Sequence, residues 1–341
     1  MARRRPPTCS PVRQNRSPAT REGVTLAAAV DSPAIAVAPI PRPPDRYRTF
    51  TAFVSWAAPA SLILIVAVLI QQAWPSVTRF GLGFLVGQDW NQVTNTFGAL
   101  PFIFGTLVTS AIALVIALPV GIAVAVLLAE PGQQGLRGAL GTGIELLAAI
   151  PSVVYGIWAL YVLAPWALVH IETPITDHLA SVPFLGGVPR QTSLFSASLV
   201  LAVMILPTLA AVSRDVIRAV PRGLRESTVA LGATWWETTW RVILPAARAG
   251  IFGATVLALG RALAETVAVA MVIGNRPEIP HSIFSPGYTL AAVIANEFVE
   301  ATGDVYQGAL VEIGLVLILV TLTVNVVALL LVHSAKARAA V

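Results

Sequence analysis

Long apolar runs, continuous and not alternating, organise this chain. Residues near 50–72, 102–129, 144–166, 193–213, 249–273 and 310–332 are almost free of charge. Each is long enough to cross a bilayer as a helix, which takes about 20 residues. A barrel strand would be shorter and would alternate between apolar and polar positions. Pro119, Pro151 and Pro207 fall inside runs. A proline in a membrane helix is tolerated where neighbours satisfy the freed carbonyl, and it leaves a kink. The pattern predicts an all-α integral membrane protein with six transmembrane helices.

Composition agrees with a bilayer as solvent. The 341 residues are 56% hydrophobic and 11% charged, with a mean hydropathy of +0.78. Ordinary soluble domains carry about 25% charged residues. A chain this apolar has more hydrophobic surface than one globular core can hide. The formal net charge of +5 does not point to nucleic acid, because the arginines sit beside the apolar runs and form no stripe on a separate domain. Membrane lipid is the partner this implies. The lone cysteine, Cys9, excludes an intrachain disulfide, and no Cys/His cluster has metal-ligand spacing, so no metal site is expected.

Residues 1–48 hold nine of the 22 Lys+Arg and nine of the 25 prolines. Such a segment buries too little apolar area to offset its ordering entropy, and a disordered cytoplasmic N-terminal tail is expected. Its apolar stretch at 24–30 is short and is followed by Asp31, Pro33 and Pro39, which argues against a signal peptide. With that tail inside, eighteen Lys and Arg fall on the cytoplasmic side. Three, Arg79, Arg190 and Arg276, fall outside. The excess of positive charge places both termini in the cytoplasm. Trp74 and Trp166, near the outer span ends, fit interfacial anchoring.

The segment between the fourth and fifth runs reads SRDVIRAVPRGLRESTVALGATWWETTWRVILPAARAG, from Ser213 to Gly250. Pro221 can open a helix, and Glu226, Val229, Ala230 and Ala233 recur at helical spacing before or around a break at Gly232. A second helix through Trp235–Ile243 completes the pattern. On the residues alone, a helix lying on the lipid surface is equally open, since Trp235, Trp236 and Trp240 suit an interface.

This loop resembles the cytoplasmic loop of ABC importer permeases, whose pattern runs Glu-Ala-Ala, then glycine, then Ile-x-Leu-Pro. Here Glu226, Gly232 and Ile243-Leu244-Pro245 match it, with Ser227 and Thr228 in place of the two alanines. GALPFIFGTLVTSAIALVIALPVGIAVAVLLAE (98–130), IELLAAIPSVVYGIWAL (144–160) and GRALAETVAVAMVIGN (260–275) are similar to the phosphate importer permeases. PSVVYG and ETVAVAMVIGN are similar to the PstC type within that group. The likeness covers roughly residues 97–333.

The resemblance implies a type I ABC importer permease architecture in a bacterial plasma membrane and no enzyme activity. It also implies a division of the chain. Residues 49–97 would hold the first span and an outer loop, and 98–334 the permease core. The coupling loop would lie at 214–248, and 335–341 would form a cytoplasmic tail. Four partners or roles follow from the same likeness. A PstA-type sister permease would share the pathway, and a PstB-type ATPase would grip the coupling loop from below. A PstS-type phosphate-binding protein would dock from outside. ATP would act only through the ATPase, this chain having no GxxxxGK[ST] loop and binding no cofactor itself.

Arg261 and Glu265 stand four residues apart in the fifth run. Twelve residues past Ala249, at about 1.5 Å each, Arg261 lies about 18 Å into a core about 30 Å thick. A charge there costs about 2.5–3.5 kcal/mol, so it must face something polar. On a continuous helix Glu265 is within pairing reach. Two readings are open: a structural ion pair, or an anion site in the translocation pathway with Glu265 holding the guanidinium at rest. Arginine's planar fork suits phosphate oxygens. Thr106, Thr109, Ser110, Ser152 and Tyr155 are further candidates to line the pathway, against the commoner role of hydroxyls in bonding their own helix backbone. His170, His178, His281 and His333 are scattered and suggest no catalytic site. Competing functions are a permease for another oxyanion such as sulfate or molybdate, an intramembrane enzyme, and a channel or secondary carrier. The enzyme lacks any nucleophile–base constellation.

Overall fold

The computed structural model describes residues 45–129, 134–179 and 181–338. Six helices in it are long and apolar enough to cross a membrane: Thr49–Phe80, Leu100–Ala129, Ser152–Leu179, Leu194–Arg218, Trp235–Ala264 and Asp304–Leu330. In chain order the elements begin with α1 (Asp45–Phe80), the short α2 (Gly83–Val86), a hairpin of β1 (Trp90–Asn91) and β2 (Thr96–Phe97), and α3 (Leu100–Ala129). There follow α4 (Gln134–Ala149), α5 (Ser152–Trp158), α6 (Ala164–Ala167) and α7 (Thr173–Leu179), the last three joined through π-helical turns into one span. Span four is α8 (Leu194–Arg218). The loop helix α9 (Arg222–Ala230) leads to α10 (Trp235–Thr238), which continues through a π-helical turn into α11 (Leu244–Ala264). The short α12 (Val267–Val272) and α13 (Leu290–Glu297) precede α14 (Asp304–Arg338).

The chain divides at Ser55 into two units. Of the first, the expected disordered tail lies outside the described residues up to position 44, and α1 starts at Asp45. The expected short tail at 335–341 begins inside α14, which runs to Arg338.

In the second unit, small residues set the packing. Ala247, Ile251, Ala254, Ala258 and Ala262 make one buried stripe along α11, and Ala113, Ala117, Gly121 and Ala125 make another along α3. Both meet α8, whose Ala197, Leu201, Ile205 and Leu209 are buried. Spacings of three and four put each set on one face. Small side chains let helix backbones approach in lipid, where burying apolar surface gains little. A Cβ on Gly121 would meet the Leu209 side chain at 2.7 Å, and one on Gly250 would meet Val216 at 2.3 Å.

Two expected spans shift. The third does not cover 144–166, because Pro151, extended at φ −60°, ψ 144°, ends the apolar run at α4 and starts α5 afresh. Its span therefore runs from Ser152 to Leu179. The fifth does not run to 273. It begins at Trp235, and its helix stops at Ala264, where Glu265 is extended at φ −70°, ψ 131°.

Beyond that break the chain has little regular structure as far as α13, and its backbone bonds go to the start of α8. Ser193 N donates to Val272 O (3.1 Å), Leu194 N to Ser285 O (3.1 Å) and Phe195 N to Ile283 O (2.9 Å). Irregular backbone at membrane depth is tolerated only where protein satisfies it in this way. The first four residues of α13, Leu290–Val293, are buried, and Leu290 N donates to Thr106 Oγ1 (3.0 Å).

Gly105 makes that approach possible, since a Cβ there would lie 2.0 Å from Tyr288 O, a backbone atom with no freedom to move aside. Gly105→Ala should therefore lower stability by ~1–3 kcal/mol, read as a drop in the thermal unfolding midpoint.

Candidate functional site

α11 packs its alanine stripe on α3 and α8, and the flank beside that stripe is left open. There Gly253, Leu257, Gly260 and Arg261 line a hollow of about 570 Å³ with Thr208 from α8 and Asn325 from α14. Arg261 is exposed to it, and its Nη1 donates to Thr208 Oγ1 at 3.1 Å. A guanidinium carries five N–H donors, so most remain available. Asn325 Oδ1 is buried without a partner. The two glycines leave the floor bare, with nothing within 4 Å of an added Cβ. An anchored cation over a small-residue floor is a place where an anion can lodge.

The Arg261–Glu265 ion pair does not form. Pairing at i, i+4 needs a continuous helix, and the break after Ala264 turns Glu265 off the α11 face. Among the described residues the one ion pair is Arg214–Asp215, at 3.0 Å. Glu265 is half-buried at the junction of α11 and α12.

The hydroxyl candidates do not line this hollow. Thr106 Oγ1 donates to Phe102 O (2.7 Å) and accepts from Leu290 N, so it clamps α13 onto α3. Thr109 Oγ1 donates to Gly105 O (2.7 Å). Ser110 is buried with its Oγ unpartnered. Ser152 opens α5 and is half-buried. Tyr155 is buried, and its hydroxyl donates to Leu147 O (2.7 Å), bridging α5 to α4 across the Pro151 break.

The α9–α10 loop has the expected form of two short helices. Pro221 opens α9, which has no buried residue, and Glu226 is exposed on it. Gly232, at φ +86°, makes the turn that a side chain would strain. Thr234 then caps α10: Thr234 N donates to Glu237 Oε2 (2.9 Å) and Glu237 N to Thr234 Oγ1 (3.3 Å). Two arginines fasten the loop to the spans. Arg225 Nη2 donates to Ile217 O (3.1 Å) and Arg218 Nη2 to Leu128 O (2.7 Å). Ile243 is 1% exposed, packed with Ile217, Ala247 and Ile251, while Pro245 lies in the first turn of α11. An exposed helix with fixed ends transmits a push applied to it.

Two polar clusters escape a linear reading. Glu172 is fully buried, and its Oε1 accepts from Ser193 Oγ and Ser196 Oγ, both at 3.0 Å. Ser193 is also the cap of α8, so this carboxylate ties span three to the head of span four. Its signal was a carboxylate just past an apolar run, visible only once Pro151 is seen to shift that span along the chain to Leu179. The second cluster gathers on Glu297 Oε2, which accepts from Trp90 Nε1 (2.8 Å) and Tyr306 OH (2.7 Å). Beside it, burial raises the Tyr288 hydroxyl above its ordinary value, and that oxygen accepts from Asn296 Nδ2 (3.1 Å). Residues more than two hundred positions apart meet there, and no spacing rule would join them.

Residues 117–339 match the family described as binding-protein-dependent transport system inner membrane component. Curated relatives include phosphate transport system permease protein PstC of Mesorhizobium japonicum, 43% identical over 290 residues, covering 82% of this chain and 89% of the relative. The protein of that name from Pasteurella multocida is 43% identical over 290 residues, covering 84% and 90%. PstC 1 of Mycobacterium tuberculosis is 39% identical over 292 residues, covering 79% and 86%. Among solved structures, a bacterial alginate ABC transporter with its pentasaccharide-bound periplasmic protein superposes with TM-score 0.55 at 19% identity, covering 83% of this chain and 93% of that one. The MetNI methionine ABC transporter gives TM-score 0.50 at 18% identity, covering 68% and 94%. These two share the fold. The chain is a multi-pass permease subunit of the ABC importer class and no enzyme; it belongs to the binding-protein-dependent inner membrane transport components and, among them, to the PstC permeases. Membership implies an ATPase and a substrate-binding protein as partners.

Glu172→Ala would leave two buried hydroxyls without their acceptor and should cost ~1–3 kcal/mol in a thermal melt. Glu172→Gln keeps an acceptor oxygen and should cost less.

Proposed function

We propose that this chain conducts inorganic phosphate inward as one half of an ATP-driven importer. The observation that carries the reading is its 43% identity, over most of both chains, to relatives named phosphate transport system permease protein PstC. Arg261 supports it. A guanidinium held by one hydrogen bond, over a glycine floor, offers bidentate donors to a tetrahedral oxyanion.

On this reading the hollow is half a pathway, completed by a PstA-type sister permease. A PstS-type binding protein delivers phosphate from outside, and both termini lie in the cytoplasm. The chain binds no cofactor. ATP acts through a PstB-type ATPase, whose closure draws the α9 lever inward and opens the outer mouth. The anchors at Arg218, Arg225 and Ile243 carry that motion into α3, α8 and α11.

Arg261→Ala should abolish phosphate uptake by the reconstituted four-part complex while all parts still copurify. Uptake of sulfate or molybdate by the unaltered complex, with none of phosphate, would replace this reading with another oxyanion permease. A cysteine at Val229, 59% exposed on α9, should crosslink to the ATPase and to no extracytoplasmic protein.

A further inference from the structure

A second hollow lies between α3 and the α10–α11 helix, at the membrane face that carries the coupling loop. It encloses about 870 Å³. Its walls are apolar: Leu118, Ile122 and Leu127 from α3 face Ile251, Phe252 and Thr255 from α11. Trp235, Trp236 and Trp240 close the end nearest the loop, half exposed, with the last two rings edge-on at 5.3 Å. Among the described residues Arg248 is the one charged lining residue, and it is exposed with no ion pair.

Depth and charge together select an occupant. Arg248 lies eight residues past Trp240, about 12 Å further along the helix, and its long side chain can carry the guanidinium back toward the tryptophan end. From there to Thr255 the wall runs seven residues deeper, about 10 Å of helix. Tryptophans at one end of such a wall mark the headgroup level. An apolar slot opening on the bilayer is filled by something apolar, and an unpaired guanidinium at its rim calls for an anion at that height. Free inorganic phosphate would satisfy the arginine and leave the slot unused. A helix from another chain would fill the slot and leave the arginine unpaired unless it brought a carboxylate. One molecule supplies both parts.

We propose that this groove binds an anionic phospholipid, with an acyl chain between α3 and α11, its phosphate on Arg248 and its headgroup under the three tryptophans. The site is separate from the Arg261 hollow, and its occupancy does not depend on which solute is transported.

The test uses the full-length chain in its complex, in phosphatidylcholine nanodiscs. These contain a trace of phosphatidylglycerol or of phosphatidylcholine, each with a diazirine in its acyl chain. Photolabelling should fall on residues 118–127 and 251–255 and be several-fold stronger with the anionic probe. Arg248→Gln should remove that preference and Arg248→Lys keep it. Ala123→Trp, at an exposed position in the groove wall, should block labelling there by both probes while leaving Arg248 in place. Excess inorganic phosphate should change nothing. Equal labelling by the two probes in the unaltered chain would overturn the proposal. So would displacement by inorganic phosphate, or crosslinking of these segments to a second protein chain seated in the groove.

Discussion

In hydrocarbon a helix gains little by hiding its leucines from the surroundings, so spans associate through close backbone approach and through polar groups that lipid cannot satisfy. Here that approach is made along α8. Alanine and glycine stripes on α3 and α11 both face it, and side chains such as Leu209 and Val216 occupy the space that a larger residue at Gly121 or Gly250 would claim. The consequence reaches the site directly. The hollow lies beside this seam: Arg261, one turn on from Ala258, reaches Thr208 on α8, while Gly253 and Gly260 face away from the stripe and form the adjoining floor.

The same demand explains the irregular segment after α11. At Glu265 and again between Ile273 and Thr289 the chain gives up helical hydrogen bonds, and each lost bond in a membrane costs several kcal/mol unless replaced. The head of α8 supplies three replacements, held in place by Ser193 and the buried Glu172. Thr106 caps the arrangement by accepting the amide at the start of α13. Of the hydroxyls that read as candidate pathway groups, Thr106 and Tyr155 hold broken helices and Thr109 bonds its own helix, while the polar groups of the hollow are Arg261, Thr208 and Asn325.

On the opposite face, stiffness has a different origin. The α9 helix buries nothing of its own, yet the arginine bonds to Ile217 O and Leu128 O and the buried Ile243 root it at both ends. The loop is exposed for contact and anchored for transmission. Both properties suit the coupling role proposed for it.

The sequence alone determined the six crossings, the two-helix loop around Gly232 and the family, because run length, charge placement and short motifs are local in the chain. It also marked Arg261 as a residue that must face something polar, since hydrocarbon penalises a charge whatever the fold. Tertiary structure alone decided what Arg261 meets. The expected partner Glu265 lies beyond a helix break that no residue between them announces, and the actual one, Thr208, is 53 positions away on another span. The buried Glu172 and the Glu297 cluster were decided in the same way. Their partners come together through packing between helices, and side-chain periodicity carries no information about which helix will be the neighbour.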